Sequence, residues 1–351
     1  MDVSPVVGTN VVVATAGTNP PRSPSGVAHL GKVGQPSSGY DAPAGGNNHR
    51  LHKPGVAGSS PAAATTFVLG ESNSEYHSDK AWFSKSQLWD LVDRGPEVFF
   101  ARHIAATDKH SLDTPSIARG RHVHLWSELG PDAFWNLVVE IPESALGAGG
   151  RRTKATEEFE KTLAPNAIPL KKDEIASYKQ QFARMMANEA FRELTEATTH
   201  REASIRWRDV SGLPLKCRPD ALTPKVCWDI KTTSEVKPLT TFWKSVIDYG
   251  YAFQAAHYLA GCRAAGLEAE EFVFLVTSTV FPYRCHAVRL PQRLLARAEV
   301  QLRRTIAEVQ MRIEFDHWEP ADSGRVTELF VPERYMEEER NAFRPALPWV
   351  Q

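Results

Sequence analysis

Cysteine is scarce in this chain. Only Cys217, Cys227, Cys262 and Cys285 occur among 351 residues. None stands in a CxxC pair, which removes zinc ribbons and thioredoxin-like motifs from consideration. Such sparse usage fits a reducing cytoplasm, the expected location. An excess of one charge is lacking as well: 41 Lys and Arg face 42 Asp and Glu, a net of -1. No global basic field therefore advertises nucleic acid, and any DNA contact has to come from a local patch. Long apolar runs are also missing. Nothing approaches the roughly 18 residues of a membrane span, so no membrane partner is expected. The opening MDVSPVVGTNVVVATAG has a short apolar stretch without a basic region before it, unlike a secretory signal.

Residues 1–66 are rich in Gly, Pro, Ser, Ala and Asn and hold no lasting helix or strand period. Such a stretch buries too little apolar surface to offset its ordering entropy, so a disordered low-complexity tail is expected there. From Phe67 onward the texture is that of a folded domain, 67–351. It divides into a helical part over 67–200, a sheet with flanking helices over 201–315, and an irregular tail over 316–351. AWFSKSQLWDL has aromatics and aliphatics at helical spacing, with Ser84 or Ser86 as a cap. ARGRHVHLWSEL reads as a second helix. DEIASYKQQFARMMANEAFRELTEA is the longest helical pattern, with Ile175, Tyr178, Phe182, Met185 and Met186 along one face.

The period then shifts towards two. Ser204–Asp209, Leu215–Leu222 and Val226–Thr232 read as three strands of a mainly antiparallel meander. A helix over about 241–265 follows, then strands at Phe272–Thr277 and Tyr283–Arg289, and a helix from Pro291 to about Ile313. This order predicts an α/β (α+β) fold with a mixed central sheet flanked by helices.

The chemistry concentrates in RPDALTPKVCWDIKTT, Arg218 to Thr233. Residues two apart on a strand project from one face, so Asp229 and Lys231 point together while Trp228 and Ile230 point to the core. Phosphodiester hydrolysis calls for a hard cation, and magnesium prefers oxygen ligands in octahedral geometry. Asp220 and Asp229 can supply those oxygens. Lys231 can orient or deprotonate a water, or neutralise developing charge. Glu202, in HREASIRW, is placed to complete the shell from the side. A lone D-x-K is more often an ordinary solvent-facing pair, but the preceding PD and the upstream Glu202 tilt the balance. Gln254 and Tyr258, at i and i+4, share a helical face. Alone they suggest packing on the sheet; directly after DIKTT they suggest polar ends lining a DNA groove.

Taken together, Glu202, the RPD of Arg218–Asp220, the DIK of Asp229–Lys231 and the QAAHY of Gln254–Tyr258 resemble the RecB-like branch of the PD-(D/E)XK nucleases. The nearer likeness is to the exonuclease VIII (RecE-type) family of recombination nucleases, including those of phages. EYHSDKAWFSKSQLWDL resembles that family's YH…SxSxL segment, and GRHVHL its GxxxH motif. GRRTKATEEF resembles its basic stretch, although Thr156 and its neighbours depart from the glycine-lysine. The likeness spans about Glu71 to Arg289. It implies a restriction-endonuclease-like core holding Mg²⁺, or Mn²⁺ in its place. The implied ligands are His124, Glu202, Asp220, Asp229 and the carbonyl of Ile230, with Lys231 assisting the nucleophilic water. His122 competes with His124 for the histidine position.

Ser84 and Ser86 resemble serines that face a DNA phosphate, a reading as strong as helix capping. Arg151, Arg152 and Lys154 are candidates for backbone phosphate contacts. Some relatives carry an iron–sulfur cluster on one upstream cysteine and a carboxyl-terminal group of them. With no cysteine before Cys217 or after Cys285, no iron–sulfur cluster is expected, and Cys217 and Cys227 read as small strand residues.

The implied activity is a 5′-to-3′ exonuclease on double-stranded DNA ends, serving recombination or repair. A homo-oligomer and a single-strand annealing protein are the implied partners. The rivals are a single-strand exonuclease or an endonuclease on the same fold, and a catalytically inactive DNA-binding module.

Overall fold

Local chemistry fixes where the helices start and stop. Thr114 accepts a hydrogen bond from the Ile117 N–H at the head of the Pro115–Leu129 helix. Asn188 accepts one from the Phe191 N–H. Each meets a first-turn donor that no helical carbonyl can reach. The Asn188 cap divides the longest expected helix into Lys172–Met186 and Glu189–Glu196. Gly250, at φ 60, divides the helix expected over 241–265 into Phe242–Asp248 and Tyr251–Ala264. The last helix runs from Gln292 to Phe315.

The computed structural model describes residues 11–13, 65–108, 114–234, 242–320, 326 and 328. The tail expected over 1–66 lies outside them except for 11–13 and 65–66. The irregular end expected over 316–351 lies outside them beyond 320, except for 326 and 328. No helix among the described residues is long and apolar enough to cross a membrane.

In chain order the described strands are β1 (Val11–Val13), β2 (Thr66–Val68), β3 (Val138–Glu140), β4 (Ile168–Leu170), β5 (His200–Arg201) and β6 (Ser204–Arg208). They continue with β7 (Pro214–Cys217), β8 (Ala221–Leu222), β9 (Val226–Thr233), β10 (Glu271–Ser278) and β11 (Cys285–Arg289). One sheet has the order β1-β2-β6-β7, a second β11-β10-β9-β8-β5, and β3 pairs with β4. The fold is mixed α/β, as the element order predicted. β9 and β10 run parallel over their full length, from Val226 beside Glu271 to Thr233 beside Ser278. Parallel neighbours need a long crossover, and the chain between them supplies it with the Tyr251–Ala264 helix.

The stretch Leu215–Leu222 is not one strand, as its pattern suggested. It breaks at Arg218–Asp220: β7 stays with β6, and β8 leaves to pair with β9. Pro219 has no N–H to continue a ladder, which accounts for a break at this point. The change of sheet sets Asp220 beside β9.

Apolar residues cover both faces of the second sheet. Cys227, Phe272, Phe274 and Val276 join a core with Leu88, Phe99, Phe253 and Leu259. Trp228, Ile230, Val273 and Leu275 join another with Trp126, Phe134, Phe182 and Phe191. The rings of Trp126 and Phe182 stack at 4.2 Å and 8°. Alternation along β9 therefore sends Trp228 and Ile230 into the second core, and Asp229 and Lys231 to the opposite face. That opposite face is not open to solvent, as a half-buried strand would imply. The helix Tyr251–Ala264 covers it, and Asp229 is only 2% exposed.

Candidate metal centre

Asp220 stands where the chain passes between sheets. Its Oδ2 accepts a hydrogen bond from the Ile230 N–H at 2.7 Å, which ties the passage to β9. The same oxygen lies 3.1 Å from Nδ1 of His124, brought in by the Pro115–Leu129 helix. Glu202, between β5 and β6, has φ 48. Side-chain-bearing residues rarely adopt this left-handed conformation, and it persists where the surroundings hold it, often at functional sites. Here its N–H donates to the Asp220 carbonyl at 3.1 Å, holding the two acids side by side. Oε2 of Glu202 lies 2.8 Å from Nε of Arg218.

His124, Glu202 and Asp220 each offer a ligand atom, and these atoms lie within 4.8 Å of one another. Ligands on opposite sides of a magnesium ion, at about 2.1 Å from it, are roughly 4.2 Å apart, so this spacing suits a shared cation. Asp229 stands beside this trio rather than in it. Its Oδ1 accepts from the Gln254 amide at 2.6 Å, and its Oδ2 lies 2.5 Å from Nζ of Lys231. That ammonium makes a close ion pair with Oδ2. A buried carboxylate oxygen needs something electropositive against it, and Lys231 supplies it for Oδ2. The donor set of carboxylate oxygens and one imidazole fits a hard divalent cation.

The electrostatics agree. Burial pushes the Glu202 carboxyl upward, and repulsion from Asp220 adds to it, with Arg218 offsetting only part. Burial and Asp220 likewise raise Asp229 against the pull of Lys231. Burial alone would raise Asp220 too, but His124, Lys231 and the Ile230 N–H together hold it below the usual carboxylate range. Burial would lower Lys231, yet Asp229 and Asp220 draw it up. Three acids crowded out of water repel one another, and a cation among them relieves that repulsion.

Residues 84–329 match a family described as a PDDEXK-like domain of unknown function (DUF3799). The chain belongs to that family. The match takes in Glu202, Asp220, Asp229, Lys231 and His124, so the PDDEXK-like domain contains the whole centre. Among solved structures, a candidate exonuclease from Eubacterium rectale is similar at 14% identity and a TM-score of 0.49, over 76% of this chain and 98% of that one. SSO0001 is similar at 13% identity and a TM-score of 0.23, over 67% of this chain and 87% of that one. No curated protein matches the chain.

The PDDEXK-like domain places the remaining candidates unevenly. His124, not His122, reaches the acids; Nδ1 of His122 is 2.9 Å from the hydroxyl of Tyr178 instead. Gln254 does not line a groove. It is 5% exposed and its amide is given to Asp229. Tyr258 is half-buried and packs against Phe272 at 6.0 Å. Ser84 sits at the head of the Lys85–Arg94 helix, its N–H donating to Gln87 at 2.8 Å, while Ser86 is exposed. Arg151 donates to the Ala148 carbonyl, and Arg152 pairs with Glu160 and donates to the Pro169 carbonyl. Those two arginines thus brace their own loop, while Lys154 is exposed.

Two contributors escaped the pattern reading. Arg218, which balances Glu202, was visible only as the residue before the Pro-Asp pair. Lys85, between the two serines, donates to the Tyr249 carbonyl at 2.7 Å. Burial and then the charge of Lys231 lower its pKa to about 7.

Proposed function

We propose that this domain hydrolyses DNA phosphodiester bonds with a magnesium ion, replaceable by manganese. The observation that supports it is the approach of the His124, Glu202 and Asp220 ligand atoms to one another beside the Asp229–Lys231 pair. His124, Glu202, Asp220 and Asp229 would hold the ion, with the Ile230 carbonyl as a further ligand. When bound, such an ion polarises the phosphate and lowers the pKa of a coordinated water.

The protein's own groups do the rest. Lys231 stays charged beside Asp229 and offers its ammonium to a developing negative oxygen. Gln254 fixes the Asp229 carboxylate through Oδ1, so that Oδ2 faces Lys231. Arg218 holds Glu202 in place through its Nε. Burial of Asp229 and Lys231 strengthens each of these interactions relative to water.

Within this reading the substrate is the end of a DNA duplex, cut 5′-to-3′ for recombination or repair. The support is the order of the motifs shared with the RecE-type nucleases. The same likeness supports a homo-oligomer and a single-strand annealing partner.

End-labelled duplex, single-stranded and nicked circular DNA, incubated across a magnesium titration, test the proposal. Short products should leave one end of the duplex only when the metal is present. Asp229→Asn and Lys231→Ala should each lower the rate by roughly 10²–10⁴. Degradation by Asp229→Asn at the wild-type rate would remove the site from the reading. Cutting of the nicked circle without release from ends would replace the exonuclease with an endonuclease.

A further inference from the structure

Aromatic rings lead outward from Lys231. Its Nζ lies 5.0 Å from the Tyr251 ring and 5.8 Å from that of Phe274. Tyr251 packs on Phe274 at 5.3 Å, on Phe242 at 5.9 Å and on Tyr249 at 5.6 Å. Tyr249 reaches the surface and is 60% exposed. On the short helix before it, Trp243 is 53% and Ile247 55% exposed. Those two stand four residues apart and share a helical face. Single exposed apolar residues are ordinary, but several large ones close together in one segment mark a binding surface.

The surroundings bias the occupant. Lys85 Nζ is held against the Tyr249 carbonyl at 2.7 Å and lies 5.3 Å from the Trp89 ring. Lys244 Nζ lies 5.8 Å from the Trp243 ring. The helix carries one acid, Asp248, a position round from the Trp243–Ile247 stripe. The link between the outer ring and the ring over Lys231 is stiff. Gly250 has φ 60, and a Cβ there would come within 2.4 Å of the Trp89 ring, so that ring packs flat against the turn. The exposed rings of Tyr249 and Trp243, with cations beside them, suit a strand whose bases are unpaired, because bases within a duplex are already stacked on each other.

We infer that this ring track seats the unpaired nucleotides of the DNA strand bound at the metal centre. Bases stack on Tyr249 and Trp243, and phosphates meet Lys85 and Lys244. The inference rests on the nuclease reading for the identity of the centre and adds the form of the strand beside it.

The test measures binding of a ten-residue oligothymidylate in metal-free buffer, so that no cutting intervenes. Tyr249→Ala and Trp243→Ala should each weaken binding roughly tenfold, and Tyr249→Phe and Trp243→Phe should largely retain it. The oligonucleotide should quench tryptophan fluorescence in the wild type, and Trp243→Phe should lose most of that change. Unchanged affinity in the Tyr249→Ala, Trp243→Ala double variant overturns the inference. So does an equal loss of blunt-duplex binding, a preference for oligouridylate, or self-association of the protein that Trp243→Ala abolishes. Cutting assays on the same variants separate the two readings. A wild type that cuts no DNA yet binds oligothymidylate through these rings refutes the nuclease and keeps the track. A wild type that cuts DNA while the ring variants bind as before does the reverse.

Discussion

His124 and Asp220 form a half-buried ion pair, with Nδ1 3.1 Å from Oδ2. Burial alone would lower the imidazole's pKa, but the Asp220 charge and its hydrogen bond raise it to about 9. The histidine is thus protonated near neutrality, and a metal taking its place at Asp220 has to displace that proton. Calorimetry of Mn²⁺ binding at pH 7, in two buffers of different ionisation enthalpy, should show proton release in the wild type. His124→Ala should release about one proton fewer and bind the ion at least about tenfold more weakly. Equal proton release by the two proteins would remove His124 from the ligand set.

Gln254 and Asp229 give a prediction about stability as well as chemistry. The 2.6 Å hydrogen bond between them is buried, so Gln254→Leu leaves Asp229 Oδ1 without its donor. An unsatisfied buried acceptor costs about 1–3 kcal/mol, more when charged. Gln254→Leu should lower the urea midpoint accordingly without changing the slope of the transition. Gln254→Glu should be worse, since it sets a second carboxylate against Asp229. A variant as stable as the wild type would mean that this hydrogen bond contributes nothing to the metal-free fold.

Much of the centre was readable from spacing because β9 obeys strand alternation. Asp229 and Lys231 share a face and Trp228 and Ile230 the other, whatever the rest of the fold does. The mixed sheet followed from the element order for similar reasons. Depth was not readable: alternation tells which residues share a face, not what covers it. The face of Asp229 lies under a helix, and the same helix turns Gln254 inward. Nor did periodicity reveal the split of Leu215–Leu222 between sheets, because both halves are apolar enough for either one. The role of Arg218 depends on Glu202 being folded back beside Asp220 through a left-handed residue, which no sequence period encodes. His124 and His122 were separable only through the partner each meets across the packing.

Gly250 offers a purely conformational check. Its φ of 60 costs a side-chain-bearing residue about 1–2 kcal/mol. A Cβ would also strike the Trp89 ring, whose nearest atoms lie 2.4–2.6 Å away. Gly250→Ala should therefore lose about 2–4 kcal/mol, seen as a lower thermal midpoint. Adding Trp89→Ala should recover part of the loss relative to Trp89→Ala alone, because the overlap but not the backbone strain has gone. Purely additive losses would show that Trp89 moves aside at little cost.

His257 sets an acid limit on stability that is independent of the metal centre's own acids. It is fully buried, and its Nε2 donates to the Lys216 carbonyl at 2.9 Å, while Nδ1 has no partner among the described residues. Burial lowers its pKa to about 4; the Lys216 carbonyl opposes this and the Lys85 charge adds to it. Between pH 6.5 and about 4 the unfolded chain therefore takes up a proton here that the native protein refuses. The contribution of the neutral imidazole is complete above pH 6.5 and is lost as pH falls towards 4, at up to about 1.4 kcal/mol per pH unit. Urea midpoints of the wild type and His257→Asn at pH 7, 5.5 and 4.5 isolate this dependence, since the carboxylates titrate alike in both. The variant should be less stable at pH 7, and its deficit should shrink as the solution is acidified. A constant deficit across the three pH values would mean that His257 is protonated in the native fold, with its Nδ1 partnered after all.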